Sequence, residues 1–454
     1  MAKNIFGLSL QKGISEYTAF SIGKGQKTDL CADGGQNVDC SDGRLRTGIG
    51  VTPLYLRRSD GEYPVNLDSN IERINSFFFI PSENNPSDTN IGCLGETGMT
   101  YLFKSGYNDF ISRREFYSPM RFYYLPLSDG TKQIWVAGED GVFTYSEKDG
   151  AGEQVCKDGS VIGCVYQNRM FFVREPYTLW YSAPYEPLDY TIELNGGGEI
   201  SFPSDKGKIV DVQPFDGKLY LFYEYAIAEL EVHAADEDFV YKTLPYDGGR
   251  ILGGSVAAVS DKLFFLSEEG VFSFDGNRIK SVCQNIDISP KQSIFACHHA
   301  GVHGKYAAVY FDEKGVERCV VVDAETGKGY FSFVPEASTA YEGRVYCRVA
   351  DYVGVLDKDG RLPPESEYVF SVSDTDLGVD GVKTLTGVFM RGEGRCALEI
   401  SNGKRTTQVE VNLSKNGGKA KMRLRGERFS LRILPYYGCT LSGLTFSWVK
   451  LGEK

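Results

Sequence analysis

The stretch Asp261–Val282, DKLFFLSEEGVFSFDGNRIKSV, decides the fold. A basic residue opens an aromatic-rich apolar run, Glu-Glu-Gly reverses the chain, and a second apolar run follows. Asp275-Gly276 then turns the chain again. Runs this short and this closely punctuated are hairpin strands, because Asp-Gly favours the turn whose twist matches that of flanking antiparallel strands. The same design recurs on either side. Gly217–Val232 reads GKLYLFYEYAIAELEV, and Gly304–Phe333 reads GKYAAVYFDEKGVERCVVVDAETGKGYFSF. Gly343–Leu362 reads GRVYCRVADYVGVLDKDGRL, and QIWVAGEDGVFTY falls within Thr131–Val155. The units are alike in plan without being copies. Each takes Gly or Asp with a basic residue, then a strand, a turn and a second strand. They recur at roughly 40–50 residues, the spacing of propeller blades.

A blade of about four strands cannot cover both its faces alone, and stacking blades around an axis buries them. The chain from about Ile91 to Pro364 has room for about six or seven. Across the 454 residues Asp-Gly occurs 12 times and Asn-Gly 3 times, and no helix-length segment shows a 3.6-residue apolar period. The 28 Tyr, 28 Phe and 52 Gly suit half-buried sheet surfaces joined by tight turns.

The expected organisation has three parts. Residues 1–90 form an N-terminal extended segment that could be part of the first blade, closing the ring with a C-terminal strand, and 91–364 form the propeller. Past the linker Leu362–Ser366 (LPPES), residues 365–454 form a small antiparallel β-sandwich of about seven short strands. The net charge is −12, which opposes general nucleic-acid binding. It is unevenly spread: from Glu367 onward 14 basic and 9 acidic residues give +5, leaving −17 for the rest. The start, MAKNIFGLSLQKG, lacks the apolar core of a signal peptide, and no stretch has the length of a membrane helix. The 11 Cys are scattered and odd in number, which reads as reduced thiols acting as core filler.

Four passages carry a resemblance. They are QNVDCSDGRLRTGIGV at Gln36–Val51, NRMFFVREPYTLWYSAPYEPLDYT at Asn168–Thr191, and the Gly304–Phe333 unit. The fourth is Asp376-Leu377-Gly378 with Lys383, followed by RLRGERFSLRI at Arg423–Ile433. Together they resemble β-propeller structural proteins of tailed-bacteriophage particles, of the packaged-DNA stabilisation and tail-nozzle kind, with an appended C-terminal sandwich. In the second passage Asn-Arg opens a strand and Tyr-Ser precedes an acidic, proline-containing loop, as in such blades. Where those blades end in Trp, this chain has Phe331 and Phe333.

Candidate chemistry is sparse. His298, His299 and His303 cluster with Cys297, but the reading is loop or strand-edge histidines rather than a metal site. Cys31 and Cys40, and Cys156 and Cys164, lack metal-ligand spacing, and Asp374, Asp376 and Asp380 lack the downstream Glu of a calcium loop. There is no Gly-x-Ser-x-Gly, Walker or dinucleotide motif. No cofactor, metal or catalytic residue is expected.

Two surface features stand out. One is the basic run Lys415, Lys419, Lys421, Arg423, Arg425, Arg428 and Arg432, where strand alternation puts Arg423 and Arg425 on one face. The other is the aromatic group Tyr177, Trp180, Tyr181, Tyr185 and Tyr190. Arg423, Arg425, Arg428, Arg432, Tyr177, Trp180, Tyr181 and Tyr185 are the interface candidates.

What the resemblance implies is a non-enzymatic virion component of the tail or head–tail region, synthesised in the bacterial host cytoplasm. Its partners would be other tail, neck or portal-associated proteins, and it would form a homo-oligomer in a symmetric ring. Phage DNA would pass it without specific binding. Two alternatives are a propeller that binds a host-surface glycan or protein, and a glycan-cleaving propeller enzyme.

Overall fold

The computed structural model describes residues 4–9, 28–29, 34–42, 44–58, 61–64, 71–82, 89–103, 110–118, 120–128, 131–157, 159–186, 196–233, 239–299, 304–377, 380–414 and 416–450. Strands dominate, and seven separate four-stranded antiparallel sheets follow one another. Blades 1 to 6 cover residues 74–114, 120–156, 163–201, 209–244, 257–282 and 290–332. Blade 7 takes three strands from 337–357 and its outermost strand from Gly50–Pro53, near the start of the chain. The chain is a seven-bladed β-propeller.

The aromatics expected to fill the sheets fill the spaces between blades. In Ile74–Pro81 (INSFFFIP) every other side chain faces a different neighbour. Phe79 stacks on Tyr341 of blade 7, with ring centroids 4.0 Å apart, and Phe78 stacks on Phe122 of blade 2 at 4.1 Å. A strand buried on both faces reads as a continuous apolar run, and each such Phe contributes about 2–3 kcal/mol of burial. Side chains also satisfy the open inner edge of blade 1. The Phe77 N–H donates to Thr339 Oγ1 at 2.9 Å, and the Phe79 N–H to Tyr124 Oη at 2.8 Å. The Ile74 N–H donates to Glu336 Oε1 at 2.6 Å, latching blade 1 to the segment that enters blade 7.

Two expectations about the first 90 residues change. Blade 1 begins at Ile74, so its innermost strand lies before the boundary placed at 90. The N-terminal segment completes the last blade rather than the first. Gly50 and Gly360 allow this, because a Cβ on Gly50 would stand 2.3 Å from the Gly360 carbonyl oxygen. Upstream of Gly50 the chain joins the C-terminal unit. Gly34–Gln36 pairs with Val369–Thr375, and Leu45–Thr47 pairs with Thr440–Lys450.

The C-terminal unit is not two free-standing sheets. In place of short strands only, it contains one 19-residue strand, Lys383–Ser401. Thr406–Leu413 and Gly418–Gly426 run back along one side of it, and Phe429–Pro435 and Thr440–Lys450 along the other. The result is a meander folded across its middle within one connected sheet. The fold line runs through Gly392 and Gly394, whose φ angles of 155° and 95° suit glycine, and through residues 414–417 and 436–439. The fold gives two arms. The first arm holds the 383–390 half of the long strand, and the second holds the 394–401 half. Their buried sides share one core with blades 5–7, including Leu424, Leu431, Phe446, Tyr306 and Val345.

Asn37 is the keystone of this joint. It is fully buried with φ 59°, a conformation that Asn tolerates better than most residues. Its N–H donates to the Phe331 carbonyl at 2.7 Å, and its carbonyl accepts from Gly48 N–H at 2.7 Å. Its Nδ2 donates to the Glu367 carbonyl at 2.8 Å, while Oδ1 accepts from Phe333 N–H at 2.6 Å. One side chain thus joins blade 6, the N-terminal segment and the C-terminal linker. Beside it, Lys305 Nζ sits 2.7 Å from Asp39 and 3.2 Å from Asp323, largely out of solvent. Burial opposes the Lys305 charge, but the two carboxylates win and hold its pKa above the ordinary value.

Candidate functional site

The most distinctive surface is the exposed side of the first arm. Gly418–Gly426 alternates strictly: Met422 and Leu424 point into the core, and Lys419, Lys421, Arg423 and Arg425 are exposed. Alternate residues of a strand lie about 6–7 Å apart, so the four cations form a straight row. Among the described residues the strand pairs on one side only, which makes the row the border of the sheet. The neighbouring strand extends it. Phe389 lies opposite Lys419, and its ring is 5.6 Å from Lys419 Nζ and 5.9 Å from the Arg391 guanidinium. Lys421, Arg423 and Arg425 have no ion-pair partner among the described residues.

The sequence reading found this row but joined it to residues elsewhere. Arg428 sits at the reversal after it, with Nε 2.6 Å from Asp374. Arg432 belongs to the second arm, 2.8 Å from Glu399 and 3.5 Å from Glu367. Arg395 on the same arm is 2.7 Å from Glu410 and lies over the Tyr436 ring at 4.5 Å. Arg423 and Arg425 therefore share a face, while Arg428 and Arg432 do not lie on it. Lys415 lies outside the described residues. Arg391 and Phe389 were missed because sheet register, not chain order, brings them to the row.

The aromatic group does not converge either. Tyr181 is buried, packed 5.9 Å from Phe171 and 5.3 Å from Phe239, so it is a core residue and not an interface residue. Tyr177 lies at the turn between the second and third strands of blade 3. Tyr185 lies at the opposite end of that blade, bonded through its Oη to Asn168 Nδ2 at 2.7 Å. Trp180 is half-buried, with Arg174 stacked 4.0 Å over its ring and its Nε1 2.5 Å from Glu199. Tyr190 and His303 lie outside the described residues, as do the side chains of His298 and His299. The Asn-Arg pair of the blade 3 motif is structural. Arg169 is buried, and Nη1 donates to the carbonyls of Ser182 (3.1 Å) and Gly196.

Three adjoining clefts of about 440–500 Å³ cross the joint. One is lined by Arg73, Glu336 and Arg348, the next by Asp312, Glu317 and Arg318, and the third by Gln36, Glu367 and Arg432. Their charges are mutually paired: Arg73 with Glu317 at 2.6 Å, Arg348 with Glu336 at 3.0 Å, and Arg318 with Asp312 at 3.2 Å. Among the described residues, no three His, Cys, Asp or Glu side chains form a metal-binding group. Among the described residues no helix is long and apolar enough to cross a membrane.

No family model matches this sequence, and no curated protein matches it. Solved structures similar in shape include the WD40 β-propeller domain of Doa1, at 10% identity and a TM-score of 0.43, covering 68% of this chain and 98% of that one. The WD40 domain of Neurospora crassa Pan2 matches at 8% identity and 0.43, covering 69% and 97%. Virginiamycin B lyase from Staphylococcus aureus matches at 11% and 0.42, covering 68% and 99%. The seven-bladed architecture of this chain rests on its own strand pairing.

Proposed function

We propose that the chain is a structural component of a tailed-bacteriophage particle, in the tail or head–tail region, acting by assembly rather than catalysis. The observation that carries this reading is the row Lys419, Lys421, Arg423 and Arg425, exposed on the border of a sheet in a chain whose net charge is −12. A fixed row of cations on an acidic body is suited to docking an acidic protein surface, and charge complementarity sets the orientation of such contacts. Another copy of the chain, or a neighbouring acidic virion protein, would supply that surface. The propeller and the C-terminal unit share a core and a keystone, so load on one passes to the other. The folded meander is read as a sandwich whose two layers share one long strand, Lys383–Ser401. A ring of copies around passing DNA would present mainly negative charge to it. The scattered positions of Tyr177, Trp180 and Tyr185 give the glycan-binding alternative no common face among the described residues.

The test is mass and shape of the purified full-length protein by light scattering and negative-stain imaging, at low and high salt. It is combined with mass spectrometry of particles released by a bacterial host carrying the gene. Salt-sensitive rings and presence of the chain in the particles are expected. A monomer at all salt concentrations that is also missing from the particles would overturn the reading.

A further inference from the structure

The unpaired cations of the row have a counterpart at one end of the propeller. In every blade the first strand is innermost, against the first strand of the next blade, and the strands run alternately up and down. The turns between second and third strands therefore lie at one end of the propeller, with the segments that lead from blade to blade. Over blades 6 and 7 the clefts of the joint hold mutually paired charges. Over blades 2 to 5 the same end carries Glu139, Glu175, Asp205, Asp247 and Glu269. All five are exposed, and none has an ion-pair partner among the described residues. In the same turns and segments Lys157, Lys206 and Lys208 are the described cations that lack a carboxylate, and Lys206 is bonded to the Tyr241 and Thr243 hydroxyls. Two tyrosines project at this end as well. Tyr117, 81% exposed, lies in the segment from blade 1 to blade 2, and Tyr225, 58% exposed, lies in a turn of blade 4.

We propose, building on the docking role of the row, that Lys419, Lys421, Arg423 and Arg425 dock on this region of a second copy of the chain. Each surface supplies what the other lacks. The row brings cations to carboxylates that no cation of their own chain neutralises. The Phe389 ring, beside Lys419 and Arg391, brings an aromatic face to exposed tyrosines. Complementary charge around aromatic contacts is a common composition of protein interfaces.

The row and its acceptor are different surfaces of one chain, so the contact joins copies head to tail. Each docked copy leaves one row and one acceptor region open, and assembly continues until a ring closes or a filament grows. Exposed ionic contacts of this kind weaken as salt rises.

Light scattering at low and high salt compares the wild-type full-length protein with two variants, alone, mixed, and combined in one chain. The row variant has Lys419→Glu, Lys421→Glu, Arg423→Glu and Arg425→Glu. The acceptor variant has Glu139→Lys, Glu175→Lys, Asp205→Lys, Asp247→Lys and Glu269→Lys. The wild type should assemble in a salt-sensitive way, and each variant alone should be monomeric with a melting temperature near that of the wild type. Assembly should return when the two variants are mixed, and when one chain carries both sets. Should a variant fail to fold, carbodiimide cross-linking of isotopically light and heavy wild-type copies still decides. Peptides joining Lys419 or Lys421 of one copy to these carboxylates of another are expected, and their absence from assembled protein would overturn the proposal. An acceptor variant that assembles like the wild type, or a mixture that stays monomeric, would overturn it too. If the row variant is monomeric in that case, docking by the row stands with a different acceptor. A wild type that is monomeric at every salt concentration yet present in phage particles removes the second-copy contact and leaves the structural role in place.

Discussion

The two arms of the C-terminal unit are built on the two halves of one long strand, yet their exposed faces follow opposite electrostatic rules. On the second arm the cations within the strands meet carboxylates: Arg395 meets Glu410, and Arg432 meets Glu399 and Glu367. On the first arm Lys421, Arg423 and Arg425 face solvent with no such partner among the described residues. Cross-strand pairs of opposite charge are a local solution to sheet stability. A row of like charges costs a little stability and earns nothing locally. It has two physical uses: blunting a sheet border against edge-to-edge association, or meeting an acidic surface. The comparison therefore separates a face built for the fold from a face built for something outside it.

The largest effect should come from removing the bend that makes two faces out of one sheet. Gly394 has φ 95°, and a Cβ there would stand 2.9 Å from the Cys439 Cα. Gly394→Val combines backbone strain with a backbone clash, and a loss of about 4 kcal/mol or failure to fold is expected in denaturant titrations. A near-native unfolding midpoint would mean that the bend is not set at this glycine. Asn37→Ala comes next. It leaves the Phe333 N–H and the Glu367 carbonyl unpartnered in the joint, a loss of about 3 kcal/mol. Asn37→Asp should be nearly as costly, because a carboxylate cannot donate to the Glu367 carbonyl.

These two residues mark how much was legible in the sequence. Asp261–Val282 announced its blade because turns and aromatic strands are local signals, and in the preceding blade Asp216-Gly217 adopts positive φ at both positions, as a two-residue turn of this kind requires. Blade 1 was placed too late because INSFFFIP is apolar on both faces and so lacks alternation. The return of Gly50–Pro53 to blade 7 is a pairing between residues about 300 apart, for which a single sequence carries no local mark. The C-terminal strands were found, but their continuity was not. Gly392 and Gly394 bend one strand rather than ending it. The basic run was visible as composition. Its division between two faces depends on which half of the long strand each neighbour pairs with.

An intermediate effect separates the two uses of the cation row. Replacing Lys419, Lys421, Arg423 and Arg425 with Glu should abolish salt-sensitive assembly in light scattering and change stability by no more than about 1 kcal/mol. Replacing them with Gln sharpens the result. A docking face loses assembly and remains soluble, whereas a border that is merely protected begins to aggregate. Arg432→Gln on the second arm should leave assembly unchanged.

The smallest effect probes the paired face itself. The Arg395 guanidinium, and after it the Tyr436 hydroxyl, hold the Glu410 carboxyl below the ordinary range by hydrogen bonding its charged form. A carboxylate with a depressed folded-state pKa contributes stability above the ordinary Glu value, and that contribution is lost as pH falls through the folded value. In a carbon-detected NMR titration Glu410 should thus protonate at lower pH than a free glutamate. In Arg395→Gln its midpoint should rise towards the ordinary range, with assembly unaffected. A midpoint that stays low without the guanidinium would mean that Tyr436 alone holds the charge. One that is ordinary in the wild type would mean that the pair does not persist in solution, and the contrast between the two faces would then have to rest on the cation row alone.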